Sequence, residues 1–571
     1  MLKSSISPYK KIIFFYIVLG FSLQLLSAYG IHTFQRLLDA IPFSSGINEL
    51  TGLLIGYGLA LAGCAILNYV MVSPETSLPK SITERLKLLA LGKISRMDYQ
   101  AYSHIGTGEW IQVIENGARA GSGIVYNFYL RIFAELLPTL LFSLVFIGFY
   151  SSTIMWVIAG GYIVVFLMTR LLLRFLYSIK ESLLAHQEKL SRYSVRGFME
   201  LVVFRLNRRY SKEIDKLTGT ANQIVHQNVQ IRLIHESFFA LFELLIIGVK
   251  IVVLAVGITD IVAGRSTLGV TLALLLLIDK VYSPIAIFNV IYIDYKLDAL
   301  TYRRFEKGLN APSDRNLEQG MQVNQLQGKI VFEDVSFGYE KDQPLLKQVS
   351  FSLPASSSTA IVGLSGSGKS TIVKLLLGLL KKDSGRLTID GTEIDELQLD
   401  SLYQHLSYIS QDAPIFDDTL RGNLIFDEVK DDSELYDILR LALLESKVRS
   451  LPEGLDTQVG ERGLKLSGGE KQRLAFARML AQSRDLIVLD EPVSALDNIS
   501  ERQLMETVLE TFRDRTLIIV AHRLHAIRQV DLILLMRGGQ LIDQGSFEEL
   551  LERSEYFREL WSKDGVEHEA V

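Results

Sequence analysis

The chain has 571 residues, 49% hydrophobic and 22% charged, so its length allows about two to five domains. Its mean hydropathy of +0.24 is high for a soluble protein and indicates that part of the chain lies in lipid. With 59 basic and 64 acidic residues, a net charge of -5, it lacks the cationic surface of a dedicated nucleic-acid binder. The single cysteine, Cys64, excludes an internal disulfide and a cysteine-rich zinc site.

Long uncharged runs predict membrane spans. Runs without Asp, Glu, Lys or Arg extend over Ile12 to Gln35, Leu50 to Pro74 and Leu136 to Thr169. The third run would be about 50 Å long as one helix, too long for a single crossing, so we predict a break at residues 148–153. Two further apolar stretches, 238–259 and 268–293, bring the prediction to six spans within residues 1–310.

Basic residues in the connections predict the orientation of these spans. The connections after spans two and four carry many Lys and Arg residues, whereas those after spans one, three and five carry few. The basic connections therefore face the cytosol, both termini are cytosolic, and we expect a bacterial inner membrane. Residues 177–236 are polar with a helical pattern, which predicts that the spans continue into the cytosol as long helices.

The sequence pattern changes after residue 310. Residues 311–328 are mostly polar and contain Pro312, which predicts a linker. From 329 to 571 strand-like runs alternate with helical ones, the pattern of an α/β domain. The predicted strands are Lys329 to Phe332, Ser357 to Val362, Leu406 to Ser410, Leu486 to Leu489 and Thr516 to Val520.

A phosphate-binding motif follows the second of these strands. It reads Gly363-Leu364-Ser365-Gly366-Ser367-Gly368-Lys369-Ser370 and precedes a predicted helix from Thr371 to Leu380. Loops of this pattern close backbone N–H groups around phosphates at a helix N-terminus. We therefore expect the loop and Thr371 to bind ATP, with Lys369 on the β and γ phosphates and Ser370 on Mg²⁺.

Two acidic residues follow a second apolar strand. Leu486 to Leu489 is continuously apolar, as buried parallel strands are, and it leads directly into Asp490 and Glu491. Ligands bind at the carboxyl ends of such strands. We expect Asp490 to hold the Mg²⁺ shell and Glu491 to orient and polarise the attacking water.

Further motifs resemble those of the ATP-binding cassette (ABC) transporters. Leu466-Ser467-Gly468-Gly469-Glu470 matches the signature sequence of that family, and Ser494-Ala495-Leu496-Asp497 matches its D-loop. The resemblance implies that Ser467, Gly468 and Gly469 face the γ phosphate on the other cassette of a dimer, with Asp497 in the nucleotide-binding set. It also implies roles for Gln411 in sensing Mg²⁺, for His522 as the switch histidine and for Tyr339 in stacking on adenine.

The layout resembles the exporter branch of the same family. Residues 457–463 are similar to a stretch typical of exporters, and six spans followed by one cassette form a half-transporter. The resemblance implies an all-α six-helix transmembrane domain of the exporter type, followed by an α/β P-loop ATPase domain. It further implies a dimer of two such chains, with a homodimer favoured over a heterodimer.

Four charged residues lie in the last two spans: Glu243, Lys250, Asp279 and Lys280. Charges in lipid cost about 2.5 to 3.5 kcal/mol each on insertion scales, so they are usually paired or turned inward. One interpretation is that Glu243 pairs with Lys280, or Asp279 with Lys250, between neighbouring helices. The other is that some of them line a substrate cavity. Arg131 and Glu135, four residues apart in span three, are expected to pair with each other.

The sequence predicts ATP-driven export of a peptide, a lipid or a hydrophobic small molecule. Alternatives are import through an exporter-type fold and an ATP-gated channel or regulatory subunit. An intact signature and Glu491 argue against a channel, because a gate that only binds ATP does not need a hydrolytic carboxylate. The expected partners are a second half-transporter and the bilayer, without nucleic acid.

Overall fold

The computed structural model describes residues 1–103, 107–199, 201–314, 316–340, 343–411, 413–426, 429–460, 463, 465–493, 496–521 and 523–563. Its contacts divide the chain into two compact units. The first unit comprises Met1–Ser95 and Ile105–Ala311, and the second comprises Arg96–His104 and Pro312–Val571. The short segment after the second predicted span therefore groups with the C-terminal part of the chain.

The first unit is helical. Its α-helices are α1 (Leu2–Ile6), α2 (Lys10–Ala40), α3 (Ile47–Ile94), α5 (Thr107–Ser122), α6 (Leu137–Tyr150), α7 (Ser152–Met199), α8 (Leu201–Leu206), α9 (Tyr210–Val262) and α10 (Leu268–Leu309), while α4 (Tyr99–Ser103) belongs to the second unit. Short 3₁₀ turns at Ser7–Tyr9 and Ile41–Phe43 adjoin α2.

Among the described residues, five helical segments are long and apolar enough to cross a membrane. They are Leu2–Phe43, Ile47–Ile94, Gly108–Tyr150, Tyr210–Val262 and Leu268–Leu309. The remaining predicted span, the fourth, falls within α7, many of whose side chains lie outside the described part. The predicted break in the long third run is confirmed, because α6 ends at Tyr150 and Ser151 is extended at φ −161°.

Several of these helices are longer than a bilayer is thick. The 53 residues of α9 extend about 80 Å, against about 30 Å of hydrocarbon. The helices are long enough to extend beyond a bilayer, and that the extensions lie in the cytosol stays a prediction. The helix α10 runs without interruption through Pro284.

A π-helical stretch lies within the third span. It covers Gly123–Leu130 and Ile132–Leu136, between α5 and α6. Its backbone packs closely on α2, since a Cβ atom on Gly20 would lie 2.1 Å from the carbonyl oxygen of Ala134. Small residues allow membrane helices to approach in this way. π-helices are rare and have no hydrophobic period that distinguishes them from α-helices, so the sequence analysis did not predict one.

The second unit contains two sheets. One is antiparallel with the order β2-β1-β4-β5, and the other has the order β10-β9-β3-β8-β7-β6. The strands are β1 (Ile330–Phe337), β2 (Leu346–Leu353), β3 (Ser358–Val362), β4 (Ser384–Ile389), β5 (Thr392–Glu393), β6 (Leu406–Ile409), β7 (Leu486–Asp490), β8 (Thr516–Ala521), β9 (Leu532–Arg537) and β10 (Gln540–Gly545).

Helices accompany these sheets. They are α11 (Lys369–Leu376), α12 (Leu399–Tyr403), α13 (Leu420–Leu424), α14 (Asp432–Leu441), α15 (Glu445–Arg449), α16 (Gly468–Gln482), α17 (Asn498–Thr511), α18 (Phe547–Arg553) and α19 (Glu555–Lys563). The predicted helix from Thr371 to Leu380 is too long: α11 ends at Leu376, because Gly378 has a left-handed backbone at φ +67°.

The larger sheet is parallel from β6 to β9, and β10 is an antiparallel edge. Parallel sheets of this kind are covered on both faces, which explains the uninterrupted apolar strands. All four residues from Leu486 to Leu489 have no exposed surface. Because β3, β6 and β7 run in the same direction, the residues that follow them meet at one edge of the sheet.

The charges of the predicted membrane segments are partly paired. Lys250 Nζ lies 2.6 Å from Asp279 Oδ1, so the second of the two predicted pairings is present. Lys280 does not bond Glu243 but donates a hydrogen bond to Ser27 Oγ. Arg131 and Glu135 form the predicted pair at 2.8 Å. Whether any of the four charges in the last two spans lines a cavity stays a prediction.

The Lys250–Asp279 pair can be tested with single and double variants. We expect Lys250→Met alone to lower the stability of the protein in membrane by about 2 to 3 kcal/mol, because it leaves Asp279 as an uncompensated charge. Adding Asp279→Asn should restore most of the loss. Thermal unfolding in nanodiscs measures both, with the exposed Lys212→Met on the same helix as control. Equal loss in the single and double variants would contradict a structural pair.

Candidate nucleotide-binding site

The phosphate-binding loop connects β3 to α11. Gly368 begins the helix with a left-handed backbone at φ +99°, and a Cβ atom there would lie 2.5 Å from Leu346 Cδ2. Gly366 is also left-handed, at φ +79°. Only glycine adopts such angles without strain. The loop therefore turns its backbone N–H groups toward the N-terminus of α11, which is where an anion binds.

Lys369 lies inside its own loop. Its Nζ donates hydrogen bonds to the carbonyl oxygens of Gly363 at 2.8 Å and Leu364 at 3.1 Å, and the residue is only 5% exposed. Burial lowers the pKa of this lysine, while the neighbouring carboxylates of Glu491 and Asp490 act in the opposite direction. The ammonium group is thus held in place close to the position predicted for the phosphates.

Ser370 and Asp490 meet across the site. Ser370 Oγ donates to Asp490 Oδ1 at 3.2 Å. Burial raises the pKa of Asp490 above its usual value, whereas the hydrogen bond from Ser370 acts to lower it. A hydroxyl and a carboxylate oxygen at this separation fit Mg²⁺, which takes few protein ligands and completes its shell with phosphates and water. Within the described residues no cluster of three or more His, Cys, Asp or Glu side chains forms a complete metal cage.

Glu491 has an unusual backbone. It follows β7 in the left-handed region at φ +52°, a conformation that costs a non-glycine residue about 1 kcal/mol or more and that clusters at functional sites. Its Oε2 accepts a hydrogen bond from Gln411 Nε2 at 3.0 Å. Gln411 itself follows β6. The edge of the sheet thus brings Lys369, Ser370, Gln411, Asp490 and Glu491 together, as their positions after β3, β6 and β7 predict.

The signature sequence forms the exposed N-terminus of α16. Ser467 caps this helix in a capping box: its Oγ accepts from Glu470 N at 3.3 Å, and Glu470 Oε2 accepts from Ser467 N at 2.7 Å. The spacing S-x-x-E signals this box, which the sequence analysis overlooked. Asp497 similarly caps α17 through Ser500 N at 2.9 Å.

Not all predicted residues meet within one chain. Ser467, Gly468, Gly469 and Asp497 lie at helix N-termini, and among the described residues no hydrogen bond joins Ser467 or Asp497 to the phosphate-binding loop. Tyr339 follows β1 with 54% of its surface exposed and an edge-to-face contact with Phe337, so its ring face is accessible. His522 and the first two D-loop residues, Ser494 and Ala495, lie outside the described residues.

Fold and site together define a P-loop nucleotide-binding domain fused to membrane helices. The family model described as "ABC transporter" matches residues 346–494. A solved structure, a bacterial Atm1-family ABC exporter with ATP bound, covers 99% of both chains with a TM-score of 0.85 at 24% identity, which shows a common fold.

Similar sequences occur in mitochondria and bacteria. The mitochondrial iron-sulfur clusters transporter ATM1 of Saccharomyces cerevisiae is 37% identical over 321 residues, which are 55% of this chain and 46% of that protein. The mitochondrial ABC transporter B family member 24 of Arabidopsis thaliana is 29% identical over 90% of this chain and 76% of its own length. The ATP-dependent lipid A-core flippase of Saccharophagus degradans is 39% identical over 42% of this chain and 41% of its own length.

Residues 346–494 match the ABC transporter family model, and the whole chain shares the fold of the solved exporter. In this fold a helical membrane region is followed by one α/β nucleotide-binding domain, as in that solved structure. The predicted fold class is thereby confirmed. The matched segments span about half of the length of several of the relatives that it resembles.

The buried carboxyl of Asp490 generates a prediction on pH. Its pKa is raised in the folded protein, so its ionised form destabilises the fold, and stability is lost as the pH rises from about 4 through the folded pKa. We expect nucleotide-free Asp490→Asn to unfold at a higher temperature than wild type at pH 7, because the uncharged amide does not carry the cost of burying a carboxylate. The two proteins should converge near pH 4. The exposed Asp514→Asn, on the same domain, should match wild type throughout; a pH-independent difference for Asp490→Asn would refute the assignment.

Proposed function

We propose that the chain is an ATP-driven exporter that works as a dimer of two copies. The observation that carries this proposal is the direct contact of Gln411 with Glu491 beside the Ser370–Asp490 pair, in a chain that also has membrane-spanning helices. A protein that only binds ATP has no need for a carboxylate held in a strained conformation beside the phosphates.

Hydrolysis follows from these positions. The loop N–H groups and Lys369 bind the phosphates of ATP, and Tyr339 stacks on adenine. Ser370 and Asp490 would hold Mg²⁺, which would supply charge neutralisation for the phosphates. Glu491 accepts a hydrogen bond from a water and aligns it with the γ phosphorus, Gln411 holds Glu491 in that orientation, and His522 contacts the γ phosphate.

The dimer rests on the exposure of the signature turn. The N–H groups at the start of α16 form an anion site, yet within one chain this turn has no hydrogen bond to the phosphate-binding loop among the described residues. In a dimer with the two cassettes in antiparallel orientation, Ser467, Gly468 and Gly469 of one chain would face the γ phosphate of the ATP bound by the other chain. Asp497 would lie beside them. One chain carries every motif, so a homodimer has two complete sites.

The membrane part transports the substrate by alternating access. Closure of the two cassettes on ATP would be passed on by residues 102–110 and 198–206, and hydrolysis would reset the spans. The four charges Glu243, Lys250, Asp279 and Lys280 are candidates for lining the cavity. Relatives include a transporter named for iron-sulfur clusters and a flippase named for lipid A-core, so iron-sulfur clusters and lipids both belong in the substrate panel, with peptides and hydrophobic small molecules. The membrane is that of a bacterium or of a mitochondrion, and we favour the bacterial inner membrane.

Flux measurements test export. Purified protein in vesicles with outward-facing cassettes should accumulate a stimulating compound when Mg-ATP is added outside, and the same compound should raise the ATPase rate. Uptake in the opposite direction would favour an importer. An ATP-dependent ion conductance without coupled accumulation would favour a channel.

Glu491→Gln should bind ATP normally but hydrolyse it at no more than a few per cent of the wild-type rate, because the water loses its polarising carboxylate while every phosphate contact remains. Lys369→Ala is the matched comparison: it should lose ATP affinity, because the point charge on the phosphates is removed. Fluorescent nucleotide titration and phosphate release separate the two effects. Hydrolysis near the wild-type rate in Glu491→Gln would disprove its role.

A mixed dimer tests the composite site. One Lys369→Ala chain with one Ser467→Arg chain leaves one site with both defects and one site with neither. We expect that mixture to recover part of the wild-type ATPase rate, at most about half because one of its two sites is intact, whereas each homodimer is inactive. Two affinity tags allow the mixed dimer to be purified. An inactive mixture would mean that the sites act only in concert or that the dimer geometry is wrong.

A further inference from the structure

An arginine in the middle of α16 holds a stretch of chain that follows Gln411. Arg478 donates hydrogen bonds from Nε to Asn423 O at 2.7 Å, from Nη1 to Pro414 O at 3.0 Å and from Nη2 to Asn423 Oδ1 at 3.2 Å. Its guanidinium also lies over two rings, 5.3 Å from the centre of Phe416 and 5.0 Å from that of Phe426. Within the described residues no carboxylate forms an ion pair with it.

The stretch held by Arg478 is folded around a buried amide. Asn423 has no exposed surface, and its Nδ2 donates to the carbonyl oxygens of Phe416 and Thr419, both at 3.0 Å. Its Oδ1 accepts from Phe416 N at 2.8 Å. Asn423 thereby closes residues 416–423 into a compact loop, and Arg478 attaches that loop to α16. All the acceptors are neutral. The guanidinium is therefore held by three hydrogen bonds and two cation–π contacts rather than by an ion pair.

The loop and the helix that Arg478 joins each lead to a different residue of the proposed nucleotide sites. Gln411, three residues before Pro414, donates to Glu491 Oε2 at 3.0 Å. Ser467 caps the start of α16, eleven residues before Arg478 and therefore about 16 Å along the helix axis. An α-helix is stiff over that length. Any displacement of the loop after Gln411 is therefore passed to Ser467 as long as Arg478 holds the loop to the helix.

We propose that Arg478 is a positioning residue that couples the two ATP sites of the dimer, by joining the loop after Gln411 to the signature helix. This inference rests on the proposed dimer, in which Gln411 serves the site of its own chain and Ser467 serves the other site. Movement of Gln411 with the γ phosphate of one ATP then changes the contact of Ser467 with the second ATP. Burial lowers the pKa of Arg478 to about 10, which leaves it charged at neutral pH.

The test compares Arg478→Lys with wild type as the full chain in nanodiscs. Lysine keeps the charge but cannot make the planar fork that bonds Pro414 and Asn423 together. We expect the Hill coefficient for ATP hydrolysis to fall from above 1 to about 1 and kcat to fall about 10-fold, while ATP affinity changes less than about threefold. Arg484→Lys is the matched control, because Arg484 lies just beyond the end of α16 and also donates to a carbonyl oxygen, that of Gln404 at 2.7 Å.

A purely structural role gives a different result. Loss of folded protein lowers the maximal rate but leaves the Hill coefficient of the remaining molecules unchanged. A Hill coefficient in Arg478→Lys equal to that of wild type, or a wild-type value of 1, would overturn the coupling. Absence of ATPase activity in wild type would instead refute the proposed function itself, so the two failures are distinguishable.

A second variant covers the case in which Arg478→Lys does not fold. Phe426 is 52% exposed, so Phe426→Leu should fold, yet it removes one ring face from the guanidinium. We expect it to lower the Hill coefficient to a value between those of wild type and Arg478→Lys. An unchanged Hill coefficient in Phe426→Leu, with Arg478→Lys unfolded, would also overturn the proposal.

Discussion

The nucleotide site depends on two adjacent carboxylates at the end of a buried strand. Four consecutive residues of β7 have no exposed surface, and the chain leaves this apolar strand directly into Asp490 and Glu491. Like charges so close together and so poorly solvated are unfavourable. The neighbouring groups reduce this repulsion. The Ser370 hydroxyl donates to Asp490, the Gln411 amide donates to Glu491, and the Lys369 ammonium lies near both carboxylates.

The sequence predicted the parts of this site that depend on strand direction. The motif residues follow β3, β6 and β7, and parallel strands place their carboxyl ends at one edge of a sheet. The long apolar helices were also predictable, because a helix in lipid needs a long apolar run, and the break at Ser151 follows from the length of the third run. These features depend on periodicity and hydropathy, which a single sequence contains.

Other features depend on contacts between distant segments. The left-handed backbone of Glu491 and the π-helical stretch from Gly123 to Leu136 have no periodic pattern. The bonds of Arg478 join residues more than 50 positions apart. Of the two possible pairings among the intramembrane charges, the structure contains Lys250 with Asp279, and spacing along the chain did not distinguish between them. The capping box at Ser467, by contrast, is local in sequence, and its S-x-x-E spacing could have been recognised without the structure.

The bonds of Lys369 have a consequence for selectivity. The ammonium group of Lys369 donates hydrogen bonds to two backbone carbonyl oxygens, so an anion that binds the lysine has to compete with these good acceptors. A singly charged ion with one or two oxygens offers little advantage over those carbonyls. A polyphosphate offers several charged oxygens to the lysine and the loop at once. The loop thus favours a polyphosphate over small anions of low charge.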